Sequence, residues 1–182
     1  MRTLLASLLS VTAAVSLAAD PIRITGTNVT FTVTKLGFAD VVGHFREFNA
    51  DIRYDSSHPE QSSVRWRVRV ASVETGERDR DQTLQGSDYF AAAQHPELTF
   101  DSRTVRADGD RRLSVTGDLS IRGITKSVTV PVTIMEQNGR RIFVTDFEVD
   151  RYDFDVRGGS VASRLIGRTV RVRLAATEGA AQ

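Results

Sequence analysis

The sequence predicts an all-β fold: an extended eight-stranded antiparallel up-and-down barrel with a short helical capping insertion around residues 77–90. Apolar and polar residues alternate through most of the chain, which is typical of antiparallel strands with one buried face. Turn sequences such as Asn138-Gly139 separate the alternating runs. About eight consecutive strands joined by short turns favour an up-and-down barrel over a Greek-key sandwich.

Five runs carry the alternation most clearly. Valine and phenylalanine alternate with threonine over 29–34, and apolar residues alternate with arginine over 63–70 and 170–174. The same period of two is found over 112–121 and 128–134. Weaker alternation is found at Phe45, Ile52 and Tyr54, Leu98 and Phe100, and Ile142 to Val149.

Turn residues lie where hairpins need them, at Asp108-Gly109-Asp110, Arg122-Gly123 and Asn138-Gly139. The alternation changes phase near Thr145-Asp146, which predicts a β-bulge in that strand.

Residues 77–90 break the period of two. This segment is charged, places Leu84 at helical spacing from Arg80 and Asp88, and contains Gly86. It predicts one or two short helices with a connecting loop, and an insertion of this kind is a candidate cap over one barrel opening.

Residues 1–18 are predicted to be a signal peptide. Arg2 supplies a positive start, and Leu4 to Val15 form an apolar run that is short for a membrane span. Ser16 and Ala18 occupy the −3 and −1 positions of a cleavage site. An uncleaved anchor or a buried helix is the alternative. Residues 19–182 are then one exported, periplasmic barrel domain.

Composition excludes several classes of function. The chain has no cysteine, which removes thiol catalysis, thiolate metal sites and disulfides. Without Arg2 the charges balance at 23 basic and 23 acidic residues, and the basic run Arg65 to Arg69 alternates with apolar residues. We therefore expect a solvated strand face there and no nucleic-acid binding.

The sequence contains no recognisable catalytic or cofactor motif. His44, His58 and His95 lack the spacing of a metal site, so no metal and no cofactor are expected. No nucleophile elbow or phosphate loop occurs. An enzyme acting on a lipid through Arg80, Asp81 or His44 is a third-ranked alternative to binding.

The inward faces of the predicted strands are almost entirely apolar, with Gly117 leaving a gap in one wall. A barrel of eight strands either fills with side chains or holds one small ligand, and the sequence leaves both outcomes open. An apolar tube accepts an apolar chain, such as a prenyl or acyl segment. A membrane-spanning barrel is disfavoured because aromatic residues make up only 7% of the chain and form no girdles.

Several strings, in their order and spacing, point to a known family. Together they resemble the YceI family of periplasmic polyisoprenoid-binding proteins, over about residues 31–174. The strings are Val42-Gly43-His44-Phe45, Ala71 to Gly76, Arg80-Asp81 with Leu84, Asp88-Tyr89-Phe90, Pro96, Phe100, and Gly117 to Lys126.

The resemblance implies a lipocalin-like barrel that binds an isoprenoid or quinone-like lipid, with a possible homodimer and links to envelope stress. It also places Arg80-Asp81 and Asp88-Tyr89-Phe90 in the capping segment. Departures from the family pattern, at which the contacts to a ligand headgroup are expected to differ, are Asn28, Lys35, Thr83 and Asp155.

The predicted function is a non-catalytic, periplasmic carrier of such a lipid. The alternative is an envelope-stress interaction module with a filled barrel and no small ligand. The predicted lipid-binding residues are Phe31, Val33, Phe45, Trp66, Val68, Phe90, Phe100, Val115, Leu119, Val130 and Phe147.

Overall fold

A computed structural model describes residues 21–22, 24–159 and 161–179, so the predicted signal peptide (1–18) lies outside the described residues. These residues form eleven β-strands and one α-helix. The elements are β1 (Pro21–Ile22), β2 (Ile24–Lys35), β3 (Ala39–Phe45), β4 (Phe48–Arg53), β5 (Ser63–Arg69), β6 (Val73–Glu74), α1 (Arg78–Gln85), β7 (Glu97–Ala107), β8 (Arg112–Ile121), β9 (Ile124–Gln137), β10 (Arg140–Asp150) and β11 (Ile166–Glu178).

All the strands belong to one antiparallel sheet, in the order β1-β4-β5-β7-β8-β9-β10-β11-β2-β3-β6. Strands β7 to β11 follow one another as a meander, and β11 pairs with β2. β1 and β6 lie at opposite ends of this strand order. β1 pairs with β4 but is followed in the chain by β2, and β6 pairs with β3 but follows β5, so the two ends of the sheet are brought together and the sheet curls around an apolar interior. The all-β barrel prediction is confirmed.

The strand count exceeds the predicted eight because three long strands are each counted as two; between β1 and β2 the interruption is only residue 23, which lies outside the described residues. Residues 46–47 separate β3 from β4, and a 3₁₀ turn at Val70–Ser72 separates β5 from β6. The pairs Pro21–Arg53 and Val29–Phe45 lie in the same register, so β1–β2 and β3–β4 run as one long hairpin. Joining the divided strands returns the count to eight.

The predicted tight turns are confirmed. Arg122 and Gly123 have φ of 51° and 74°, and Asn138 and Gly139 have φ of 54° and 70°. Two successive left-handed residues are the requirement of a two-residue hairpin turn whose twist matches the strands.

The bulge predicted near Thr145-Asp146 is wrong. β10 pairs with β11 without a register shift from Ile142 to Asp150. In this strand the odd-numbered residues, such as Phe143 and Phe147, line the interior. Ile142 and Val144 occupy even-numbered positions but are also apolar, so the sequence looks as if the alternation changed phase. The register shifts lie elsewhere, in the β7–β8 and β11–β2 pairs.

The barrel has two ends, named here by the connections they carry. The mouth end carries the β2–β3 turn, the α1 segment, the β8–β9 turn and the β10–β11 connection. The closed end carries the β4–β5 connection and the β7–β8 and β9–β10 turns. The helical insertion predicted around 77–90 is confirmed as α1 and the turns that follow it, up to residue 95. Within the described residues, no helix has both the length and the apolar character needed to cross a membrane.

Candidate functional site

The interior of the barrel contains two cavities of unequal size. The larger, of about 260 Å³, lies at the mouth end and reaches from Trp66 to Lys35 and Ile166. The smaller, of about 50 Å³, lies at the closed end beside Tyr54 and Phe143. The mouth-end half of the interior therefore contains the larger cavity, and the closed-end half is nearly filled by side chains. The sequence left a ligand cavity and a filled barrel as alternatives, and each of them describes one half of the barrel.

An aromatic stack divides the two cavities. Trp66 borders both, and its ring lies parallel to that of Phe100, at 17° with 5.7 Å between centroids. A Cβ at Gly117 would lie 2.6 Å from the Phe100 ring. The prediction that Gly117 leaves a gap in the wall is therefore wrong. The Phe100 ring occupies the space that a side chain at this position would take.

The structure brings most of the predicted lipid-binding residues together. Three of them, found at the smaller cavity instead, are Phe100, Val115 and Val130. The eight that line the larger cavity are Phe31, Val33, Phe45, Trp66, Val68, Phe90, Leu119 and Phe147.

Sequence reasoning missed two kinds of lining residue. Val170, Val172 and Leu174 belong to an alternating run and had a signal, but were not selected. Phe154 and Val156 lie in the β10–β11 connection, where no periodicity marks an inward face, yet they are 2% and 6% exposed.

The capping segment is held by its own polar contacts. Asp81 accepts hydrogen bonds from the backbone N–H and the hydroxyl of Thr75, at 2.8 and 2.6 Å. Arg80 donates to the carbonyl of Thr75 at 2.7 Å and forms an ion pair with Glu77. The Arg80-Asp81 pair thus fixes α1 to the end of β6, which leaves Leu84 to face the cavity.

Arg151 plays a similar part in the β10–β11 connection. It is 6% exposed, its hydrogen bonds all go to backbone carbonyls at 2.6 to 3.1 Å, and its guanidinium also lies over the Tyr152 ring. A buried guanidinium with its donors satisfied organises the surrounding chain. The carbonyls belong to Val156, Arg157, Ser163, Ile166 and Gly167.

The described lining of the larger cavity contains basic side chains and no acidic one. Arg80 and Arg151 are tied to the protein, whereas Lys35 is exposed and has no ion pair among the described residues. Of the four departures from the family pattern, Lys35 and Thr83 line the cavity. Asn28 is exposed, and Asp155 takes a left-handed φ of 55° and pairs with Arg122.

The candidate catalytic groups do not converge in the cavity. His44 is exposed on the outer face of β3 and His58 lies in an exposed connection. Among residues 21–22, 24–159 and 161–179, no three metal-ligating side chains come close enough to hold an ion. The resolved pKa shifts belong to groups outside the cavity lining: the hydrogen bond from Arg46 lowers the pKa of Glu74, that from Arg141 lowers the pKa of Glu178, and backbone N–H groups lower the pKa of Asp55.

Comparison with known proteins gives a consistent picture. The family model of the YceI-like domain matches residues 19–177. Protein YceI of Escherichia coli O157:H7 is 31% identical over 135 residues, which is 71% of this chain and 70% of that protein. A UPF0312 protein of Azotobacter vinelandii is 34% identical over 102 residues, 56% of this chain. That match spans about half of the relative's length (53%).

Solved structures share the fold. BcnA of Burkholderia cenocepacia superposes with a TM-score of 0.78 at 26% identity, covering 84% of this chain and 96% of BcnA. A polyisoprenoid-binding domain from Saccharophagus degradans, implicated in plant cell wall breakdown, superposes with a TM-score of 0.69 at 14% identity. The second match covers 88% of this chain and 98% of that domain, and it shows similarity of fold alone.

Proposed function

Because the chain belongs to the YceI-like domain family, we propose that it is a non-catalytic, periplasmic binding or carrier protein for an isoprenoid-type lipid. The observation that carries the proposal is the mouth-end cavity, whose wall consists mainly of apolar side chains from the strands, the capping segment and the β10–β11 connection. The Saccharophagus domain is polyisoprenoid-binding, which supports the choice of ligand class.

The chemistry of the cavity suits a hydrocarbon chain. Each methylene moved from water into an apolar site contributes about 0.8 kcal/mol. A segment of ten carbons thus provides about 8 kcal/mol against the entropy cost of association, without a polar anchor along its length.

The size of the cavity sets how much of the lipid enters. Its volume of about 260 Å³ is slightly below the range of about 300–1,000 Å³ that is usual for ligand pockets. We propose that the end of the chain lies against Trp66, where the aromatic stack blocks the way to the closed end. The headgroup of the lipid then lies at the mouth beside Lys35.

The alternative function, an interaction module without a small ligand, needs a filled interior. The closed end meets that requirement and the mouth end does not, which favours the carrier function. Export, a quinone-like ligand and a homodimer stay predictions. N-terminal sequencing of protein from isolated periplasm tests cleavage after residue 18, and light scattering tests the dimer.

Organic extraction of protein purified from its native envelope, followed by mass spectrometry, tests the proposed function. We expect one apolar lipid species in near-stoichiometric amount. In parallel, prenols of increasing length are titrated into delipidated protein, and the fluorescence of Trp66, the only tryptophan in the chain, is followed. If no lipid co-purifies and no prenol changes the fluorescence, the proposal is wrong.

A further inference from the structure

We propose that the mouth end docks onto an anionic membrane surface through an apolar tip formed by Leu36, Phe38 and Leu165. This inference rests on the proposed function for its purpose, since a lipid carrier must meet a membrane to load or unload. Its evidence is separate, because it comes from the outer surface of the molecule and not from the cavity.

The first observation is the exposure of the tip. Phe38 is 81% exposed, and Leu36 and Leu165 are 47% and 50% exposed. Isolated apolar residues are ordinary on protein surfaces, whereas a cluster at one point marks an interaction site. Leu36 and Leu165 are neighbours, because the Leu36 N–H donates to the Leu165 carbonyl at 2.7 Å.

The second observation is backbone strain at the tip. Leu36 has a φ of 57° and precedes Gly37 at 79°, and the N–H of Phe38 donates to the carbonyl of Lys35. Such turns favour asparagine, aspartate or glycine at the first left-handed position. Among the described residues, Leu36 is the only large apolar residue with a positive φ. A strained leucine that points into solvent is explained if the side chain itself is needed there.

The third observation is the position of the tip at the cavity mouth. Lys35 pairs with Ile166 across the β2–β11 ladder, and both residues line the cavity. Leu36 and Leu165 are the next residues outward on each side. An apolar surface that touches the tip is therefore one residue away from the cavity lining.

The fourth observation is charge, which selects an anionic partner. Lys35 and Arg164 flank the tip and are exposed, and neither has an ion pair among the described residues. The acidic residue nearest the turn in sequence, Asp40, is paired with Arg171 at 3.2 Å. Cations beside inserted apolar side chains suit a bilayer that contains anionic lipid.

A second copy of the chain is the competing occupant. Stable protein interfaces bury about 1,200–2,000 Å² in total. Three exposed side chains, two on the β2–β3 turn and one just before β11, cover much less, and their insertion into a lipid surface needs no complementary protein face. We therefore assign the tip to a membrane.

Co-sedimentation with vesicles tests the assignment. Vesicles of phosphatidylglycerol and phosphatidylcholine are compared with vesicles of phosphatidylcholine alone, at low and high salt. We expect binding to the anionic vesicles that weakens with salt. The double variant Leu36→Asn/Phe38→Ser should lose at least tenfold in binding and should fold at least as well, because asparagine tolerates the left-handed turn.

Met135→Ser is the matched control, since Met135 is 50% exposed but lies near the closed end. This variant should bind vesicles as the unaltered protein does. Absence of vesicle binding by the unaltered protein, or equal binding by the double variant, would overturn the proposal. So would a concentration-dependent dimer that the double variant abolishes, because that result assigns the tip to a second copy.

A titration of the protein with a short prenol in the absence of vesicles, followed by Trp66 fluorescence, separates this inference from the proposed function. The double variant should bind the prenol normally. Normal prenol binding without vesicle binding rejects only the docking tip, and vesicle binding without any prenol binding rejects only the carrier function.

Discussion

The two ends of this barrel are built from the same strands but do different work. At the closed end, Val105 and Val115 are 2% and 0% exposed and leave a cavity of about 50 Å³. At the mouth end the same alternation of apolar residues surrounds about 260 Å³. An alternating pattern specifies which side chains point into the barrel, but it does not specify whether those side chains fill the interior or leave a cavity between them.

The difference comes from the side chains that cross the barrel axis. Phe100 extends over Gly117 and stacks on Trp66, and these rings take up space that would otherwise remain empty at the closed end. At the mouth end, the adjacent strands β2 and β11 present the shorter side chains of Val33, Val170 and Val172 to the cavity. We infer that the closed end supplies stability and that the mouth end supplies binding.

Truncation of the aromatic stack should destabilise the closed end and give the largest loss of stability. We expect Phe100→Ala to lower the free energy of unfolding by about 3–5 kcal/mol, as is usual for a buried phenylalanine. Phe147→Ala, at the half-buried mouth-end wall, is the control and should cost less than half as much. Urea unfolding followed by far-ultraviolet circular dichroism measures both. Equal losses would contradict the division of labour between the ends.

Removal of the buried guanidinium should disorganise the mouth end selectively. Arg151→Met leaves five backbone carbonyls without their charged donor, and we expect a loss of about 2–3 kcal/mol. Hydrogen exchange should rise in the β10–β11 connection and stay unchanged in the β7–β8 hairpin. Arg157→Met, which removes an exposed arginine of the same connection, is the control. Uniform exchange across the chain would contradict a local role.

Replacement of one valine at each end by phenylalanine should affect prenol affinity at the mouth end and stability at the closed end. Val33→Phe fills the mouth-end cavity, so we expect at least a tenfold loss of prenol affinity with little change in stability. Val115→Phe overpacks the closed end and should cost about 1–3 kcal/mol while prenol affinity is retained. Fluorescence titration and urea unfolding of both variants check this. The reverse pattern would place the ligand at the closed end.

The smallest effect concerns pH at the closed end. Arg141 donates to both carboxylate oxygens of Glu178, at 2.8 and 2.7 Å, and this hydrogen bonding lowers the pKa of Glu178 below its ordinary 4.5. The resulting stabilisation is present above the unfolded pKa and is lost as pH falls through the folded pKa. We expect at most about 1 kcal/mol, because the pair is partly exposed.

Unfolding measured from pH 7 to pH 3 tests that contribution. The unaltered protein should lose more stability over this range than Glu178→Gln, whose side chain does not titrate. Asp146→Asn removes an exposed partner of Arg173 on the same two strands and is the control. Identical pH profiles for Glu178→Gln and the unaltered protein would show that the pair does not stabilise the fold.

The sequence predicted the sheet, the turns and the capping insertion because each depends on local signals. Alternation, Asn138-Gly139 and the helical spacing around Leu84 lie within a few residues of one another. It predicted the inward direction of most cavity residues for the same reason. It could not tell which end of the barrel holds Val115 and Val130, because position along the barrel axis depends on strand tilt and register, which alternation does not contain.

Other features depend on contacts between distant segments. The filling of the space at Gly117 requires Phe100 from the neighbouring strand, and the place of Phe154 in the cavity wall requires the fold of a whole connection. The mistaken bulge near Thr145 has the opposite cause, because Ile142 and Val144, on either side of Phe143, are also apolar and imitate a change of phase in a strand that pairs with β11 without a register shift.

The central claim is that a lipid chain enters the mouth end and stops at Trp66. Prenyl-like chains that carry a bromine quencher either at the far end or next to the headgroup test it, with the fluorescence of Trp66 as the readout. We predict saturable quenching at one chain per protein, stronger for the far-end label. Stronger quenching by the label next to the headgroup, or no saturable quenching by either chain, would contradict the account.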